Sequence, residues 1–192
     1  MARRSEFRPD KSGTSLLSKL YLTRLQRKKL LKWTLFALVL LVLSVLQDVI
    51  FCRMDILGAT VDLVPCGILV ACVLFGTETG SVYTVVASFL YLFSGSSPGY
   101  HVPALLTFLG VIGAALRQNY LQNSFGSILL CSGSALLLYE LGVFAWAYVF
   151  GLIPASRLFA VFFTGVLTLV IIPILYPIYT GIQKIGGESW KE

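Results

Sequence analysis

Apolar residues run through this chain in long blocks, separated by short breaks rich in glycine, serine and other polar residues. A helix that crosses a bilayer needs roughly 20 mostly apolar residues. The first block, Trp33 to about Phe51, is rich in Leu and Val. The second runs from about Leu57 to Phe75 and contains Pro65. The third and fourth, Thr79 to about Phe93 and Val102 to Leu116, are shorter and read as two spans rather than one re-entrant hairpin. The fifth, Ser127 to about Phe150, is long, and the sixth, Leu158 to about Tyr179, contains Pro173 and Pro177. The breaks at Gly76–Glu78, Ser94–Gly99, Gln118–Gly126 and Gly151–Ser156 carry turn residues. The pattern predicts an all-α fold: a polytopic membrane bundle of six transmembrane helices. It divides the chain into an arm over residues 1–32, a membrane domain over 33–183 and a tail over 184–192, with no internal repeat and no linker long enough to separate domains.

Composition agrees with that pattern. Hydrophobic residues are 57% of the chain and charged residues 12%, against roughly 25% charged in soluble domains. The net charge of +6 is unevenly placed. Ten Lys and Arg fall within residues 1–32, beside only Glu6 and Asp10, whereas residues 33–192 are slightly acidic. A basic arm running straight into an apolar block points to membrane orientation rather than nucleic-acid binding. With the N-terminus inside, the inner segments hold the arm's ten basic residues, Arg117, Lys184 and Lys191, against Arg53 and Arg157 outside. Both ends are then cytoplasmic. The first block is long and no small-x-small cleavage site follows it, so it reads as an uncleaved helix. Leu16, Leu17, Leu20 and Tyr21 among the basic residues fit either an interfacial helix on anionic lipid or a plain solvated arm.

Candidate chemistry is sparse. Cys52, Cys66, Cys72 and Cys131 form no C-x-x-C pair and read as small buried hydrophobes, with no metal or cofactor site implied. Glu140 lies near the centre of the fifth block, where an ionisable group requires a partner or a proton. It is either a structural hydrogen-bonding anchor or a partner contact, and no second acid on that helix suggests a relay. Gln47 and Asp48 sit near the outer end of the first helix. Arg53, Asp55 and Asp62 follow, as an ion-pair cluster or as interfacial residues in water. Gly95-Ser96-Ser97-Pro98-Gly99 matches G-x-S-x-G, but a nucleophile elbow needs a preceding strand and a histidine base. Here a membrane helix precedes it, and His101 lies in the same turn. Gly76 and Gly80, Gly110 and Ala114, and the run Ser132–Ala135 are small residues of the kind that let helices approach closely.

The order of these features resembles the rod-shape-determining membrane protein MreD family of bacteria, over about residues 33–185. The resemblance rests on Gln47 at the end of helix one, Val61-Asp62-Leu63-Val64-Pro65 opening helix two, and the pair Gly76 and Gly80. It continues through Leu90-Tyr91-Leu92-Phe93-Ser94-Gly95-Ser96-Ser97-Pro98-Gly99, the acid Glu140 in helix five, and Gly165 and Pro173 in helix six. The family often has aspartate where this chain has Tyr91, and aspartate rather than glutamate in helix five. The resemblance implies a non-enzymatic subunit of the cell-elongation machinery. Its partners would be an MreC-type bitopic protein, an MreB-type filament, the peptidoglycan polymerase and transpeptidase, and membrane lipids. It also implies a fold similar to the substrate-binding subunits of energy-coupling-factor vitamin transporters, which supplies the alternative function. For that alternative, Tyr83, Tyr91, Tyr100, His101 and Tyr139 are the candidate pocket residues. Helix one offers only Ala37, with Leu41 four residues on, where those subunits often carry an Ala-x-x-x-Ala docking patch.

The charge bias yields a test of topology. Cysteines introduced at Ser97 and Ser156 should react with an impermeant thiol reagent added outside intact cells, and one at Asn123 should not. Labelling at Asn123 would refute the orientation.

Overall fold

The computed structural model describes residues 24–53, 58–121 and 124–185. Among them are seven α-helices and no strand: α1 (Arg24–Val49), α2 (Leu63–Phe75), α3 (Thr77–Phe93), α4 (Val102–Tyr120), α5 (Phe125–Val149), α6 (Leu158–Leu169) and α7 (Ile172–Ile185). The Leu16–Tyr21 segment, Asp55, Asn123 and residues 186–192 lie outside the described residues.

The bundle is organised around α2. Its sequence is apolar on every side, and all thirteen of its residues are buried. A helix hydrophobic all round belongs in a core, and each of the other six helices packs against it. At 1.5 Å per residue α2 is only about 20 Å long, short of the roughly 30 Å hydrocarbon layer. It starts at Leu63, not at Leu57 as the apolar run suggests, because the chain before it is extended and Asp62 sits at the N-cap position.

The surrounding helices are apolar on the outside. α3 buries Gly80, Tyr83, Thr84, Ala87, Ser88 and Tyr91, a stripe of small and polar residues at helical spacing. Its exposed face is Val82, Val85, Val86, Phe89, Leu90 and Phe93. In water this amphipathicity would be reversed; a lipid environment accounts for it, since apolar side chains lose nothing by facing acyl chains. α1 buries a single stripe of Lys32, Phe36, Leu40, Leu43 and Gln47 and exposes Leu38, Leu41, Val42 and Val45. This is a membrane-embedded, multi-pass protein. α1, α4 and α5 are long and apolar enough to cross a bilayer by themselves, and α6 with α7 forms a fourth candidate span bent by 45°.

That bend corrects the single sixth helix expected from the apolar block. Pro173 has no N–H, and its ring disfavours helical geometry in the residue before it. The ladder breaks there: the N–H groups of Val170 and Ile171 reach back only three residues, to Leu167 and Thr168. Pro177 is accommodated inside α7. Two further boundaries differ. α1 begins at Arg24, so the described end of the basic arm is continuous with the first helix, and α4 extends past Leu116 to Tyr120.

One residue, Gly76, separates α2 from α3. Its φ of 81° lies in the left-handed region that favours glycine. Around this turn, Gln118 Oε1 accepts hydrogen bonds from the Thr77 hydroxyl at 3.0 Å and the Thr77 N–H at 3.4 Å. Arg117 is buried and donates to the Leu74 carbonyl at 3.4 Å, a cation at the negative end of α2. Gly80 makes the tightest contact of the turn, for a Cβ there would sit 2.5 Å from the Cys72 carbonyl oxygen.

Gly80→Ala should therefore separate α2 from α3, lowering stability by about 1–3 kcal/mol. Gly126→Ala, where a Cβ meets nothing within 4 Å, should be neutral or slightly stabilising. Thermal unfolding of both variants in detergent checks the contrast, and equal midpoints would refute the close-approach role of Gly80.

Candidate functional site

Because α2 starts inside the bundle, its first backbone N–H groups cannot turn to water. An unpaired donor in such a place costs about 1–3 kcal/mol. Side chains from neighbouring helices supply the acceptors. The Val64 N–H donates to Gln47 Oε1 of α1 at 2.8 Å. The Asp62 N–H donates to Thr168 Oγ1 of α6 at 3.2 Å. Pro65, in the first turn, has no N–H to satisfy, which suits it to this position. The Thr168 hydroxyl in turn donates to the Thr164 carbonyl at 2.7 Å.

More polar groups gather around this helix start. The Asp62 and Glu140 carboxyl groups lie beside each other. Both face the positive end of α2, where acidic groups are favoured. Glu140 and Gln47 are buried, and Asp62 is partly buried. The Tyr91 hydroxyl of α3 lies near the Gln47 side chain and donates to the Ser96 carbonyl at 3.4 Å. Tyr139 packs beside Glu140 on α5, fully buried. Gly165 brings α6 close to α5 here, since a Cβ on it would lie 2.8 Å from Leu137 Cδ2 and 3.6 Å from Glu140 Cγ. Not every group is paired: Glu140 Oε1 and the Tyr139 hydroxyl have no hydrogen-bond partner.

Gln47, Asp62, Pro65, Tyr91, Glu140 and Gly165, scattered over five helices in the sequence, thus meet or flank one polar cluster. Others of the sequence candidates stand apart. Gly76 and Gly80 shape the turn at the other end of α2. Gly95, with φ of 81°, and Gly99 belong to the loop between α3 and α4. Pro173 is exposed at the start of α7. Asp62 is not part of a solvated cluster with Asp48 and Arg53: both of those are exposed, while Asp62 turns toward Glu140. Thr164 and Thr168 are the members of the cluster that sequence reasoning misses. Their signal was a Thr-x-x-x-Thr pair in an otherwise apolar segment, a spacing that puts both hydroxyls on one helix face.

The five aromatic and histidine residues considered for a vitamin pocket do not line one cavity. Tyr91 and Tyr139 belong to the polar cluster. Tyr83 packs with Phe36 and Phe75 at the far end of α2. Tyr100 is 91% exposed. His101 stacks on Trp146 with ring centroids 5.1 Å apart; loss of water there pulls its pKa below the ordinary value, which favours the neutral imidazole. Among the described residues, no group of three or more His, Cys, Asp or Glu side chains is placed to hold a metal ion.

Comparison with protein-family models, with curated proteins and with solved structures gives no match to this chain.

The cluster makes a graded prediction. Glu140→Gln keeps the shape and can still hydrogen-bond Asp62, so stability in detergent should be nearly unchanged. Glu140→Lys places a cation in the bundle and should prevent folding or assembly. Gln47→Leu removes the acceptor for Val64 and should lower stability by about 1–3 kcal/mol. Equal tolerance of Glu140→Gln and Glu140→Lys would show that the carboxyl faces water.

Proposed function

We propose that this protein is a non-enzymatic membrane scaffold of the bacterial cell-elongation machinery, of the kind the MreD family represents. The supporting observation is the convergence of Gln47, Asp62, Tyr91 and Glu140, four residues on which the resemblance rests, around the start of α2. Their polar capacity goes mainly into holding a buried helix in place. Outside that cluster the bundle offers apolar helix faces joined by short loops, surfaces suited to docking other membrane helices. In this reading the chain passes the cytoplasmic membrane six times, with α2 as a short, protein-enclosed pass and α6–α7 as one bent pass. Both termini are cytoplasmic. An MreC-type bitopic helix packs on the apolar flank, an MreB-type filament approaches the basic end, and the wall polymerase and transpeptidase are held nearby. Single helix contacts in lipid contribute only about 1–2 kcal/mol, so several must act together. The scatter of the candidate pocket aromatics weighs against the vitamin-transport alternative.

Depletion of the protein from a rod-shaped host in rich medium should give rounded, swollen cells with misplaced wall synthesis under the microscope. Depleted cells that stay rod-shaped and recover growth when one vitamin is added would reject the scaffold reading in favour of a transporter subunit.

A further inference from the structure

A second polar site lies at the opposite end of α2 from the carboxyl pair, and the proposed scaffold role does not use it. There the start of α1, the end of α2 and the start of α3 enclose a cavity of about 110 Å³. Lys29, Lys32 and Trp33 of α1 line one side, and Thr79 and Tyr83 of α3 line the other. Phe36 and Phe75 form the apolar floor, their ring centroids 4.4 Å apart. The cavity is too small for a vitamin-sized ligand, which typically needs about 300 Å³ or more. It has room for several water-sized groups, and so for a compact anion.

The lining specifies the sign of the occupant. Lys32 is only 7% exposed, and its ammonium lies 5.4 Å from the centre of the Phe75 ring. Lys29, one turn earlier, is exposed at the mouth. Thr79, in the first turn of α3, completes the polar part of the lining. The neighbouring carboxylate, Glu78, is exposed and does not line the cavity. Trp33 is 43% exposed beside the mouth, an amphipathic ring of the type that settles at headgroup level. The exposed apolar face of α1 continues from there through Leu38, Leu41 and Val42, a surface along which acyl chains can lie. Anion-selective groups at the mouth, an aromatic ring at the interface and an apolar track leading away make up the profile of one amphiphile.

We propose that this cavity is a phosphoryl-anion site that takes the headgroup of an anionic phospholipid. Two ammonium groups attract a net negative headgroup and repel the trimethylammonium of a choline lipid, so the site discriminates between the two. A lipid bound here joins α1 to the α2–α3 turn.

The test uses the purified full-length protein in neutral detergent micelles, with thermal unfolding as the readout. Phosphatidylglycerol, phosphatidylcholine and inorganic phosphate are titrated separately. Phosphatidylglycerol should raise the unfolding midpoint, and phosphatidylcholine should not. Lys29→Gln and Lys32→Gln should each raise the concentration for half-maximal protection roughly tenfold, the loss of one charge-assisted contact. Arg157→Gln, exposed at the other end of the bundle, should respond as the wild type does. Because Lys29 is exposed, its variant gives a reading even if Lys32→Gln fails to fold. Equal protection by the two lipids, or an unchanged response in Lys29→Gln, would overturn the site. Protection by inorganic phosphate matching that by phosphatidylglycerol would overturn the lipid assignment and leave a site for a soluble phosphate.

Discussion

A backbone N–H in the middle of a membrane protein must find an acceptor, and at the start of α2 the chain cannot supply one from its own helix. The rest of the architecture depends on how that need is met. Gln47 comes from α1, Thr168 from α6, and the Asp62–Glu140 pair ties the same point to α5. Each of these contacts fixes a surrounding helix in register against the central one. A soluble protein would leave such a helix end at the surface, where water would satisfy it. With lipid outside, the polar side chains have to be carried inward, and they become the positions at which the bundle is least tolerant of change.

The two ends of α2 are built on the same electrostatic logic with opposite signs. Carboxyl groups gather at its amino end. At its carboxyl end Arg117 meets the last carbonyls, and Lys32 lies over Phe75. Between them the helix is purely apolar, which places its polar partners at the two extremes. That arrangement also separates the uses of the two ends. The carboxyl pair is enclosed by helices, whereas the lysine-lined cavity opens beside an exposed tryptophan at the end that bears the basic arm.

Much of this was legible in the sequence. The apolar blocks marked where the helices lie, since a membrane-embedded segment is apolar along most of its length, although the sixth block covers both α6 and α7. Glu140 stood out because an acid among Leu and Tyr residues has no solvent to turn to. What could not be read was which residues meet. Nothing local says that the amide of Gln47 faces Val64, or that Asp62 turns inward while Asp48 does not; those outcomes depend on how α1 and α5 are rotated about their axes. In the sequence Lys32 closes the basic run of the arm, yet its spacing of four from Phe36 puts it on the buried stripe of α1. The break between α6 and α7 was foreshadowed by Pro173, but an apolar run by itself does not distinguish a kinked helix from two.

The enclosure of α2 bears on how the protein is made. A segment of this length is a poor resident of a bilayer when alone, and its amino end has no partner when it emerges from the ribosome except Gln47, which precedes it. Glu140 and Thr168 are synthesised only after many more residues have followed. Until then the helix start is incompletely satisfied, and the first two helices cannot reach their final arrangement. The start of α2 is therefore fully held only once α6 is in place, so residues more than a hundred positions apart must meet before the central helix is fixed.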